Sequence, residues 1–235
     1  MGEGDGVDTR SRLADTEWTV ASVRLPSETV GLPADVRLRA RVVLGRAAAM
    51  GLAPPGAIEA TDASDERLWK ALQGVAAEAR ESGIGLLAGS FVRSTSTGPS
   101  MDVDLVRVMV DQLSDSLEES PLPSREIPEL VRVLGWPLVI RLTGGSEASL
   151  RRYAKETRQA PDDLADRIHW LALVIADLRG GYNDFGVRRW IERPRKQLDG
   201  KRPLDILDGH WSPQTAEVQG VRDLARWVAQ PAVAS

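Results

Sequence analysis

Two histidines, no cysteine and one dense run of cations are the chemical resources of this 235-residue chain. His169 stands beside Trp170 in a long apolar-patterned segment, the setting of a structural imidazole held in a core rather than of a general base. His210 follows Asp208 and Gly209 in a turn, with no serine in a nucleophile-elbow pattern. "DVD" at 102–104 offers two carboxylates, but acids in the first turn of a helix complement its dipole without any metal. "GGSEAS" at 144–149 lacks the lysine of a phosphate-cradling loop. Without cysteine, disulfides, thiolate zinc sites and a thiol nucleophile are excluded. The expectation is a protein with no catalytic residue, no metal and no cofactor.

The cations are concentrated. In "RRWIERPRKQLDGKRPLDIL" (188–207) seven of twenty residues are basic: Arg188, Arg189, Arg193, Arg195, Lys196, Lys201 and Arg202. The whole chain nevertheless carries a net charge of −4. That balance argues against whole-surface attraction to nucleic acid while allowing a local basic face. Arginine forms forked bonds to carboxylates and tolerates partial desolvation, so such a run suits an interface with an acidic partner.

A second basic set belongs to "PLVIRLTGGSEASLRRYAKETR" (137–158), which reads as short helix, tight glycine turn, second helix. In a helix-turn-helix the second helix enters the major groove. Ser146 and Ser149 would then reach phosphate or base edges, while Arg151, Arg152, Lys155 and Arg158 neutralise phosphates. Ile140 stands where a small residue usually lets the helices cross, and Gly145 where an apolar residue usually seats the second helix. The motif is therefore degenerate.

The elements that must position these groups are predicted to be helices. Apolar residues at helical spacing mark Ala34–Met50, a helix opening at Ser64, and the stripe Leu105, Met109, Leu113 and Leu117. Further helices are predicted around 127–134, 137–142, 146–156, 183–193, 203–208 and 213–229. After Pro161 the stripe Leu164, Ile168, Leu171, Ile175 and Leu178 marks a longer one. "EWTVASVRL" at 17–25 reads as a short strand. The fold class expected is mainly α: a helical bundle with a degenerate helix-turn-helix, then a small helical domain. The expected order is a disordered tail at 1–16, an N-terminal helical region of unknown role at 17–93, and a linker, "STSTGPS", at 94–100. Units at 101–182 and 183–230 follow. No apolar run approaches the roughly 20 residues of a membrane helix. The N-terminus is acidic and Gly-rich, unlike a signal peptide. Both point to a cytoplasmic protein, and a homo-oligomer or hetero-complex is the expected assembly.

"GVRRWIERPRKQLDGKRPLDIL" (186–207) resembles the toxin-binding domain of Xre/MbcA/ParS-type antitoxins. That family's pattern is an aromatic at a helix end, a proline a few residues on, Leu-x-Gly, then Pro-Leu opening a short helix. Trp190, Pro194, Leu198, Gly200, Pro203, Leu204 and Leu207 match it in order and spacing, while Arg195 stands where the family often has asparagine. Upstream, "GGSEASLRRYAKETRQAPDDLADRIHWLALVIADL" resembles the Xre-like helical portion that precedes this domain. The resemblance covers about residues 125–230, a little under half of the chain. It implies an antitoxin-like protein, not an enzyme, that binds and neutralises a RES-domain toxin, an NAD-degrading enzyme, and represses its own operon by binding operator DNA. Two alternatives remain open: a stand-alone helix-turn-helix regulator, and an interaction adaptor without DNA binding. The residues themselves assign the seven motif positions to packing and turns, and the seven cations between them to an exposed docking face.

Overall fold

The computed structural model describes residues 31–53, 64–84 and 103–229. The tail at 1–16, the strand expected at 17–25 and the linker at 94–100 lie outside the described residues. Within them the chain forms ten α-helices and one 3-10 turn, with no strand, so the fold is mainly α. The helices are α1 (Ala34–Ala49), α2 (Asp65–Glu81), α3 (Val103–Glu119), α4 (Pro123–Leu134) and α5 (Trp136–Thr143). After them come α6 (Glu147–Ala154), α7 (Asp162–Arg179), α8 (Asp184–Glu192), the 3-10 turn (Lys196–Leu198), α9 (Pro203–Ile206) and α10 (Ala216–Ala229).

Two apolar clusters hold these elements. In the first, Val36, Ala40, Val43, Leu44 and Ala47 of α1 meet Leu68, Trp69, Leu72 and Val75 of α2, together with Met109, Leu113 and Leu117 of α3. Although α3 follows the expected linker, its apolar face thus belongs with α1 and α2. The second cluster gathers α4 to α10 around α7. Most of α7 from Leu164 to Leu178 is buried, as expected of a helix with neighbours on every side. α1 packs across α7 and joins the two clusters, and its small buried Ala40, Ala47, Ala48 and Ala49 favour a close approach.

A charged cluster closes the same seam. Glu118, at the end of α3, binds Arg46 of α1 at 3.0 Å, and Arg222 and Arg226 of α10 at 2.6 and 3.0 Å. Asp177 of α7 lies 3.5 Å from Arg222. Burial works against charge on Glu118, but Arg222, Arg46 and Arg226 outweigh it and hold the carboxyl below its usual range. Burial pushes Asp177 up and the Arg222 guanidinium down. Among the described residues, no helix is long and apolar enough to cross a membrane.

Candidate functional site

The 188–207 segment is built on a buried tryptophan. Val187, Trp190 and Ile191 turn the inner face of α8 into the core, and Trp190 is only 1% exposed. The helix ends at Arg193, whose extended backbone is what a residue preceding proline prefers. The chain then closes a small loop: the Leu198 and Gly200 amides donate to the Arg195 carbonyl, and the Arg195 amide donates to that of Lys201. Gly200 sits at φ +79° with open space around it, so backbone freedom alone calls for glycine there. Pro203 occupies the first turn of α9, where its missing N–H costs nothing, and Leu204 and Leu207 are buried. Leu198 is buried too, while Pro194 is exposed and acts through the backbone.

The seven cations of this segment have three different fates. Arg188 donates to the Val133 carbonyl at 2.6 Å. Arg195 lies over the Trp190 ring, 5.0 Å from its centroid, and donates to the Trp190 carbonyl at 3.1 Å. Both cap helix C-termini, and burial pushes Arg195 below the ordinary arginine value. Lys201 and Arg202 are occupied by Glu217 and Asp205 respectively, and each is held above its usual pKa chiefly by that hydrogen bond. Arg189, Arg193 and Lys196 are exposed and have no partner among the described residues. They follow one another at spacings of four and three along the outer edge of the frame.

Beside Lys196, Gln197 opens a shallow, mostly apolar cavity of about 380 Å³, shared with Gly220, Asp223, Leu224 and Trp227 of α10. Trp227 is 65% exposed although its neighbours Leu224 and Ala225 are buried. The reading of the sequence passed over this tryptophan. Its signal was its position on α10, off the stripe of Val218, Val221 and Ala225 that faces the core.

The residues expected to touch DNA are placed differently. Ser146 caps α6, its Oγ accepting from the Ser149 amide at 3.2 Å, and Ser149 Oγ lies 3.0 Å from it. Arg151 pairs with Glu147 at 2.7 Å and stacks over Trp136, 4.4 Å from its centroid. Arg152 reaches only Ser149 Oγ, at 3.4 Å. Lys155 and Arg158 are exposed and have no partner among the described residues, but they follow the end of α6, which stops at Ala154 rather than 156. Leu150 and Tyr153 turn α6 onto α4. The turn before α6 is covered: a Cβ on Gly144, at φ +71°, would stand 2.8 Å from the Gly209 carbonyl oxygen. The Gly209 amide donates to the Arg141 carbonyl, Trp211 Nε1 to that of Leu142, and Arg167 to that of Thr143. The last turn of α5 is therefore saturated by the protein itself.

The candidate chemical groups are all engaged or isolated. His169 is buried, its Nδ1 2.6 Å from Glu126 Oε1 and its Nε2 2.9 Å from the Glu118 carbonyl oxygen. Since a carbonyl only accepts, Nε2 carries a proton, and Nδ1 and Glu126 share a second one. Burial pushes the Glu126 carboxyl up. Burial opposes charge on His169, but the Glu126 bond and charge prevail and hold its pKa above the usual histidine value. The pair stitches the end of α3 and the start of α4 to α7. Asp104 is bound by Arg107, which also reaches Asp35, and Asp102 lies outside the described residues. Among the described residues no group of three His, Asp or Glu side chains could hold a metal ion. His210 is exposed. Compared with known proteins, the chain matches no family model, no curated protein and no solved structure.

Proposed function

We propose that this chain is a cytoplasmic, non-enzymatic antitoxin-like protein whose C-terminal helices bind and neutralise a RES-domain toxin. The observation that carries the proposal is the triplet Arg189, Arg193 and Lys196. These cations have no partner among the described residues and stand on a frame whose Trp190, Leu198, Pro203, Leu204 and Leu207 do the packing while Gly200 makes the turn. A rigid scaffold spares backbone entropy on docking, and the planar arginine fork loses less freedom per bond it makes to a carboxylate, which favours docking. The apolar cavity beside Lys196, walled by Trp227, supplies what charge alone lacks, a place for a buried anchor. Arg188 and Arg195 drop out of the docking face because they cap helices, and Lys201 and Arg202 contribute to it only after leaving their carboxylates.

The test is neutralisation of a RES-domain protein encoded beside the chain, followed as NAD loss in the co-expressing cell. Replacing Arg189, Arg193 and Lys196 together by glutamate should abolish protection and leave the melting temperature nearly unchanged. Full protection by that variant, or the lack of any RES-domain protein in complexes isolated from the native cell, would overturn the reading. A second reading, operator binding through α6 and the turn that follows it, is favoured by Lys155 and Arg158 of that turn, two exposed cations with no partner among the described residues. If it holds, replacing both by alanine should lower affinity for the chain's own promoter and flatten its salt dependence.

A further inference from the structure

α1 and α3 are joined by a ladder of ion pairs with one repeating interval. Asp35 pairs with Arg107, Arg39 with Asp111 and Arg46 with Glu118, each separated by 72 residues. Because both partners advance together, the two helices run parallel and in register. The inner side of the ladder is the apolar cluster shared with α2. The outer side carries Leu38 and Val42 on α1 and Val108 on α3, 51%, 42% and 50% exposed. Helical spacing sets Leu38, Val42 and Gly45 on one strip, and a Cβ at Gly45 would meet nothing within 4 Å. Three of the five large exposed apolar side chains among the described residues thus share a single face.

We propose that this face joins two copies of the chain. The charges argue for a second copy rather than another partner. Along the ladder α1 supplies Arg39 and Arg46 and α3 supplies Asp111 and Glu118, with the signs reversed at Asp35 and Arg107, so the seam is basic along one edge and acidic along the other even though these groups also pair within the chain. A surface of that kind complements itself. A two-fold axis parallel to the helices lays each basic α1 over the acidic α3 of its mate and keeps equal heights together. Residue n of α1 is level with residue n + 72 of α3, so Leu38 falls within two residues, roughly 3 Å along the axis, of Val108 in the other copy. Asp115 and Glu119, exposed and with no partner among the described residues, then face the basic α1 of the mate. The perpendicular axis would instead stack α1 on α1 and set arginines against arginines. Two helices about 24 Å long and about 20 Å wide together cover on the order of 1,000 Å² over both copies, the lower limit for a specific interface. The association should accordingly be weak.

Analytical ultracentrifugation of the full chain should find monomer near 1 µM and dimer near 100 µM, the range of a micromolar dissociation constant. Replacing Leu38 and Val42 by glutamate should keep the chain monomeric throughout while its circular dichroism and melting curve stay unchanged, because both positions are exposed. A wild-type chain that remains monomeric at the higher concentration would overturn the proposal, as would a glutamate variant that still dimerises. The absence of native cysteine permits a check of the arrangement. A mixture of Leu38→Cys and Val108→Cys chains should form the mixed disulfide faster than either variant links to itself. Preferential self-linking of Leu38→Cys would place α1 on α1 and contradict the charge argument.

Discussion

Among the described residues, the core around α1 to α3 is closed by apolar side chains, whereas the α7 side of the molecule also buries Glu126, Thr143, Arg167, His169 and Arg222. Part of the difference follows from helix length. α1, α2 and α3 have 16, 17 and 17 residues, long enough that most backbone groups bond within the helix. α5, α6, α8 and α9 have 8, 8, 9 and 4, so their unpaired end groups are a large share of the total. Short helices are marginal alone and must be tied down by their surroundings. Arg188, Arg195, Trp211 and Arg167 do this by donating to carbonyls at the ends of α4, α8 and α5. Polar side chains in this half therefore set the register of pieces that apolar contact alone would let slide.

Trp190→Ala would strain the contrast most. Removing a fully buried indole should cost about 3–5 kcal/mol, and urea unfolding should show it as a lower midpoint. The same change at Trp69, buried in the other core, should cost a similar amount, so the contrast between the halves lies in their polar groups and not in their aromatic ones. A smaller effect should come from pH. Glu126 and His169 both bind protons more tightly folded than unfolded, with values raised above 4.5 and 6.5. Their contribution is complete at low pH and is lost as pH rises through the folded values, so melting temperature should fall on the alkaline side. A double variant, Glu126→Leu with His169→Phe, should lack that slope; an unchanged slope would assign it to other groups. The smallest effect should be Ser146→Ala, which removes the α6 cap and should cost about 1 kcal/mol by the same unfolding measurement.

Helical periodicity carried most of what could be read in advance. The stripe expected on α7 is buried, as are Val36, Ala40, Val43, Leu44 and Ala47 at helical spacing on α1 and Leu68, Leu72, Val75, Ala76 and Ala79 on α2, because a 3.6-residue repeat states directly which side of a helix avoids water. It does not state what lies opposite, and so gave no sign that α3 packs with α1 and α2 or that α1 crosses α7. The basic run shows the same limit. Arg193 and Arg195 are two residues apart and alike in composition, yet one projects outward and the other lies along Trp190. Only the loop closed between Arg195 and Lys201 separates them, and that bond leaves no mark in residue type. Glu126 was passed over for a related reason: its partner His169 is 43 residues away, beyond any local pattern.

Glu118 also has a consequence for the order in which the protein is made. Arg226 follows it by 108 residues and Arg222 lies on the same last helix. A chain still being synthesised can assemble α1 to α7, but Glu118 and Asp177 then have only Arg46 to balance them. The seam stays electrostatically incomplete until α10 emerges, so a chain that stops before residue 216 retains a carboxylate pair with too few cations. Synthesis of α10 is thereby coupled to locking of the two halves, and a chain cut short before α10 should present an open joint to cellular proteases.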